Sequence, residues 1–327
     1  MSSTTAAHIA SSIPELWARL TLRDHLRKGF FANMVGPEGS RSPIIRREDL
    51  VSQPGDTIHI QTTAALSGAG VEDEVQLEGS EENLTTSSIS CVPIFYRNGV
   101  RWYRRSNKKS VLELRSEARM RLAEWGGEKM DDVRFANFVS TANLNGVAYT
   151  PNQYAAGGGA TPGSIVAGDA LTVEELMKIK LTLYNNRALP LKTNMGEDVY
   201  GIVAHPNSVF ALKRETEYRD WVREAAVRGE ANPFFRGATA MIDGMVIFTH
   251  SNVPVEADGG GGEDVSRNIA FGAEAFVEAV DENPSWDEEN FDYGHELGVA
   301  YGFGFQPRRA LAKNSLVVYA DAESPLS

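Results

Sequence analysis

The residue types that most often do chemistry are scattered in this chain. Its six histidines are His8, His25, His59, His205, His250 and His295. No two stand at the spacing that lets one helix offer both imidazoles to a metal ion, and no HExxH occurs. No GxSxG elbow is present to activate a serine. The single cysteine, Cys91, excludes an intrachain disulfide and every site built on Cys pairs. Beside Val92 in a strand-like run, its thiol reads as buried and inert. Phosphate cradles are missing as well. There is no P-loop motif, and GxGxxG fails at both of its near-matches, where Gly68 and Gly70 run into VEDE and Gly302 and Gly304 into FQP. Those glycines read as close backbone approach or bulges. Residues Asp281 to Asp292 (DENPSWDEENFD) are the best candidate for a cation site. With His295, the side chains of Asp281, Glu282 and Asp287 are the set a metal-dependent hydrolase would need. The stretch lacks the glycine and ligand rhythm of an EF-hand, and reads first as a solvated acidic loop. Tyr96 to Arg105 (YRNGVRWYRR) interleaves aromatics with cations. Nucleic-acid bases stack on such surfaces, but Trp, Tyr and Arg also dominate protein interfaces, the better reading in an acidic chain.

The elements that would position these residues belong to a globular chain. It has 327 residues, 32 Lys and Arg against 44 Asp and Glu, a formal charge of −12 and 42% apolar residues. That composition excludes wholesale disorder, and the length suits about two domains or one large one with extensions. An acidic balance argues against a dedicated nucleic-acid binder, which needs a basic face. No run approaches the roughly 20 apolar residues that span a bilayer. The opening MSSTTAAHIASSIPELWARL has no basic segment followed by an apolar block, so neither a membrane partner nor signal-led secretion is expected.

Along the chain, residues 1–53 read as an arm. Leu16, Trp17, Leu20, Leu22 and Leu26 mark a short helical stretch, and Phe30-Phe31 follow. Aromatics on a segment too short for its own core must bury elsewhere, on the same chain or on a neighbour. Residues 54–105 read as a hairpin-like extension. Gly55 to Gln61 alternates with Ile58 and Ile60 on one face, and Ser87 to Tyr96 is a strand bent or pushed to an edge by Pro93. Its first half is acidic (Glu72, Asp73, Glu74, Glu78, Glu81, Glu82) and its second basic (Arg97, Arg101, Arg104, Arg105, with Trp102 among them). Such runs are usually solvated faces, yet complementary halves also suit pairing between copies. Ser106 to Ala142 is the strongest helix: Val111, Leu114, Ala118, Leu122 and Trp125 form one stripe, Glu117 and Arg121 pair at i,i+4, and Gly126-Gly127 invite a kink. Thr172 with Glu175 reads as a capping box for a helix to Asn185, and Asn207 as the cap of a helix from Ser208 to about Ala226. Strands are expected at Tyr200 to His205, Met245 to Phe248, Ile269 to Val280, Gly298 to Phe305 and Ser315 to Ala320. Helices and strands mix without strict alternation, so the fold class is α+β.

This order of parts, with GDTIHI, LSGAGVEDEVQLEGSEENL and then VLELRSEARMRLAEW, resembles the major capsid proteins of tailed phages, more narrowly those of the N4-like phages. FGAEAFVEAV at Phe271 to Val280 and DYGHELGVAYGFGF at Asp292 to Phe305 support the likeness, which runs from about residue 50 to the end. The resemblance implies the Hong Kong 97-type phage capsid fold: N-arm at 1–53, E-loop at 54–105, P domain with the spine helix at 106–199, A domain at 200–297, and C-terminal strands at 298–327 returning to the P domain. It implies a non-enzymatic subunit without cofactor or metal that self-assembles as hexamers and pentamers. The icosahedral shell would enclose double-stranded DNA in the virion, after assembly in the host cytoplasm. Implied partners are other copies through the N-arm and E-loop, possible scaffold, portal and cement proteins, and DNA by weak contact that the net negative charge keeps non-adhesive. The inter-subunit contacts are then expected at the acidic and basic residues named above, with Trp102. An encapsulin-like compartment shell shares the same fold and is the alternative.

Overall fold

A computed structural model describes residues 29–52, 55–63, 66, 68, 70–73, 76–79, 81–84, 86–109, 114–140, 152–194, 197–219 and 240–322. The expected stretch Leu16 to Leu26, Val111 and Glu74 lie outside them. In chain order the strands are β1 (Val35–Gly36), β2 (Ile44–Arg47), β3 (Ile58–Thr63), β4 (Thr86–Cys91), β5 (Ile94–Tyr103), β6 (Asn152–Ala155), β7 (Lys192–Asn194) and β8 (Glu197–Ala204). They continue with β9 (Ala240–Ile242), β10 (Met245–Thr249), β11 (Val255–Glu256), β12 (Val265–Phe271), β13 (Phe276–Phe291), β14 (Glu296–Arg309) and β15 (Ser315–Asp321). The helices are α1 (Asp49–Ser52), α2 (Arg104–Lys109), α3 (Leu114–Val139), α4 (Val173–Asn185) and α5 (Pro206–Arg214).

Two sheets organise the body. One has the order β1-β2-β13-β14-β5, with the long antiparallel pair β13–β14 in the middle and β5 at an edge. Helix α3 lies across it. Ala118, Leu122, Met130 and Val133 of the helix meet Trp102, Val280, Trp286, Val299, Tyr301, Phe303 and Phe305 of the sheet in a closed core. The inward stripe of α3 is the expected one in Ala118 and Leu122, and Arg121 pairs with Glu117 at 2.9 Å. The helix runs unbroken through Gly126-Gly127, both buried: packing outweighs a cost of about 1 kcal/mol per glycine. The second sheet has the order β6-β15-β12-β8-β10-β9 and packs α4 and α5 on one face. Its other face meets the last turns of α3 through Val203, Ile269 and Phe271 against Phe135 and Phe138.

Thr172 caps α4 by accepting from the Glu175 backbone amide at 3.2 Å, and Leu176, Ile179 and Leu183 point inward as their spacing requires. The Glu175 side chain does not close a capping box. It accepts instead from the Tyr154 hydroxyl and from Lys178. The cap of α5 is His205, whose Nδ1 accepts from the Asn207 amide at 3.3 Å with Pro206 in the first turn, and not Asn207 itself.

Three expectations are corrected. The acidic stretch 281–292 is not a loop but most of β13. Trp286 points into the core and Glu288 reaches Arg115 of α3 at 2.7 Å, while bulges between Val280 and Ser285 absorb the irregular residues around Pro284. The borders at 199/200 and 297/298 do not follow the sheets. Residues 276–309 join β5 and α3, whereas strands from 152–204, 240–271 and 315–321 build the other sheet. And part of the arm is body: Ile44 is fully buried, β2 pairs in parallel with β13, and Phe31 packs on Phe135 and Phe138 with ring centroids 5.0 and 5.6 Å away. Between the two readings of Phe30-Phe31, docking on the same chain is the observed one.

Candidate interaction surfaces

The extension is a two-stranded ribbon of β3 and β4, in register from Ile58 with Cys91 to Thr63 with Thr86. It belongs to neither sheet. Among the described residues its root is the buried part: Ile58 and Cys91, with partly buried Ile60, pack on Val277 and Ala279 beside Ile45, Leu50 and Ala310. The Val92 amide donates to Gln306 at 3.0 Å, so the chain is pinned where Pro93 breaks the strand run. Burial pushes the Cys91 thiol up to about 11, against the pull of nearby Arg308, which leaves it protonated and unreactive. Arg308 is itself buried, and desolvation lowers its pKa.

Beyond the root, the described residues of 66–84 are almost all exposed, including Leu66, Leu77 and Leu84. The carboxylates partly fold the segment on itself. Glu82 accepts from the Gly68 amide at 2.6 Å and Glu81 from the Gly79 amide at 2.7 Å. Glu72, Asp73 and Glu78 are exposed too.

The basic half starts on β5, the free edge beside β14. Alternation gives it two faces. Tyr96 and Trp102 turn towards α3, and Trp102 is only 8% exposed within the helix–sheet core. Trp102, expected at a contact with another subunit, is instead taken up by the core of its own chain, although Ile94, Asn98 and Val100 on the same face stay exposed. On the opposite face Arg101 is engaged at home, 3.1 Å from Glu296 and stacked 3.7 Å over Phe291. Arg97, Arg104 and Arg105 are exposed and make no ion pair among the described residues. That face has a floor of Gly298, Ala300, Gly302 and Gly304 on β14. A Cβ at Gly298 would lie 2.7 Å from the Phe291 ring, and one at Gly302 equally close to Phe95. Glycine there lets the aromatic rings lie flat on the strand.

The hydrolase set does not assemble. Asp281 lies over Gly304, Glu282 accepts from Ser285 at 3.4 Å, and the His295 ring faces Tyr103 at 5.5 Å. Among the described residues no three His, Cys, Asp or Glu side chains form a group that could hold a metal, and no helix is long and apolar enough to cross a membrane. Sequence reasoning missed two features. One is the buried triad in which Arg134 of α3 reaches Glu278 at 2.8 Å and Asp131 at 3.3 Å. The other is Tyr293 at the β13–β14 turn, which is 107% exposed. Only the turn signal Asp-Tyr-Gly between two alternating runs pointed to the latter.

A two-sheet body, a rooted ribbon and exposed charged surfaces are the parts an associating subunit would need. The comparisons agree. The model of the phage capsid protein family matches residues 15–305. The chain belongs to that family, and its role is structural, in the shell of a phage. The major capsid protein of Pseudomonas phage KPP25 is 24% identical, with 91% of this chain and 89% of the relative covered. Among solved structures, the capsid of Ralstonia phage GP4 matches with a TM-score of 0.77 at 23% identity, covering 91% of this chain and 92% of its own. The capsid of Cyanophage Pam1 has the same TM-score at 16% identity, covering 91% and 93%. The fold is the Hong Kong 97 type.

Proposed function

We propose that this chain is the major capsid protein whose copies close, as hexamers and pentamers, into an icosahedral shell around double-stranded DNA, without catalysis. The β3–β4 ribbon with its acidic loop acts as the E-loop, α3 with its sheet as the P domain, and the second sheet with α4 and α5 as the A domain. One observation carries this reading. The ribbon exposes an acidic segment and the same chain exposes Arg97, Arg104 and Arg105 on another element. The root of the ribbon sits at the Ile94 end of β5 and Arg104 begins at its Tyr103 end. Ten residues of strand put these ends about 30 Å apart. Two different complementary patches on one subunit give head-to-tail contacts, and such contacts generate rings when the rotation closes. Lying across a neighbour also gives the ribbon the buried area that its own body does not supply.

The test is charge reversal. The variant R97E/R104E/R105E leaves Arg101 and its Glu296 pair intact. It should stay folded, with an unchanged thermal midpoint, and form no particles by electron microscopy. Normal particles would remove the pairing. Each rim pair contributes only about 0–1 kcal/mol, so the effect depends on many repeats around the shell.

A further inference from the structure

The β13–β14 hairpin ends in a turn that spends conformational energy on display. Asp292, Tyr293 and Gly294 all adopt the left-handed region, with φ of +47°, +50° and +84°. Only the last is a residue that does so freely. The Tyr293 side chain is fully exposed. A strained backbone that holds a large aromatic ring wholly in water gives the isolated subunit no benefit, and the inference from such an outlier runs towards function.

The turn is nevertheless fixed in place. The His295 amide donates to the Asp292 carbonyl at 2.9 Å, and the Arg104 amide to the His295 carbonyl at 2.9 Å, which ties the tip to the start of α2. Tyr103, itself 52% exposed, lies against His295. Tyr293, Tyr103, Arg104 and Arg105 therefore share one end of the sheet. That is the composition of an interface hot spot, where Tyr and Arg carry most of the energy. The complementary chemistry is also in the chain: the segment 71–84 combines exposed Leu77 and Leu84 with Glu78, Glu81 and Glu82. Its ribbon is rooted at the far end of β5.

We infer that Tyr293 is the anchor on which the acidic segment 71–84 of a second copy docks, its ring taking the leucines while Arg104 and Arg105 take the carboxylates. This deepens the shell reading and rests on it. Benzoylphenylalanine placed at position 293 is irradiated in assembled particles, and the joined peptides are identified by mass spectrometry. Joining to residues 71–84 of a second copy is expected. Joining elsewhere, or only within one chain, overturns the inference. The variant Y293G relieves the strained φ, so the free subunit should be at least as stable as the parent, while each contact weakens about thirtyfold and particle yield falls. Particles at parental yield from Y293G overturn the anchor role. If the parent chain itself forms no particles, the shell reading fails first, and the two failures are distinguishable.

Discussion

At the scale of single residues, the body is held by polar groups that sequence patterns hide. Arg134 meets Glu278, which is fully buried, and Asp131 accepts the Phe30 amide at 2.6 Å, so one cluster ties helix, sheet and arm. Burial raises the Asp131 pKa, opposed by the Phe30 amide and Arg134. Two partly buried histidines should make the fold sensitive to acid. His205 caps α5, and His250 lies between the rings of Phe30 at 4.7 Å and Phe135 at 5.1 Å while its Nδ1 accepts from the Asn252 amide. Burial lowers both pKa values from 6.5; for His250 the nearby Asp131 and Asp132 oppose the shift in part. A depressed imidazole pKa means the unfolded chain takes up protons first as pH falls. Their stabilising contribution is therefore complete above 6.5 and lost below it, down through the depressed values. Asp131 acts with the opposite sign: its contribution is fully present below 3.8 and is lost as pH rises towards its raised value. The urea midpoint of the free subunit should fall as pH drops below 6.5. In H205N/H250N the asparagine oxygen can still accept the same backbone amide, so the decline should flatten even if the absolute stability is lower. An equal slope in the double variant would assign the acid response elsewhere.

Elements differ in how much of the whole they support. The β3–β4 ribbon contributes Ile58, Ile60 and Cys91 to a small satellite core, and its described outer residues are almost all exposed. Replacing residues 64–85 with a short glycine turn should leave the thermal midpoint of the subunit within a few degrees of the parent and abolish particles. Calorimetry and electron microscopy read the two effects separately, and a large fall in the midpoint would mean that the loop is part of the body. What could be read from the amino acids follows the same division. Helix α4 was legible at both ends because Thr172 caps it and Leu176, Ile179 and Leu183 keep one period. The split at Pro93 was legible because proline cannot continue the ladder. Strand β13 was legible only as far as Val280, since beyond it Glu282, Asp287, Glu288 and Glu289 are exposed and bulges break the alternation. Of the expected contact residues, Arg97, Arg104 and Arg105 are on the surface, whereas Arg101 is paired at home and Trp102 is core. An edge strand interleaves its two faces, and composition cannot assign them. Phe30-Phe31 showed that they must bury, but the choice of host depended on an aromatic cluster gathered from α3 and β10.

For the whole molecule, charge acts at two ranges with opposite signs. Each copy carries −12, so copies repel at a distance. At contact, the acidic segment of one copy and the arginines of the next attract. Screening removes the long-range part first: the Debye length is about 30 Å at 0.01 M salt, about 10 Å at 0.1 M and about 3 Å at 1 M. Assembly followed by light scattering should therefore be poor at the lowest salt, rise towards physiological strength and fall again at the highest, where the contact pairs are screened too. Apolar anchors such as Tyr293 do not weaken with salt, which limits the second fall. R97E/R104E/R105E has no attractive pairs to lose and repels more strongly. Whatever residual assembly it shows should increase steadily with salt. A parent curve that also rises without a maximum would mean that apolar burial alone drives association, and that the split charge of the chain serves solubility instead of recognition.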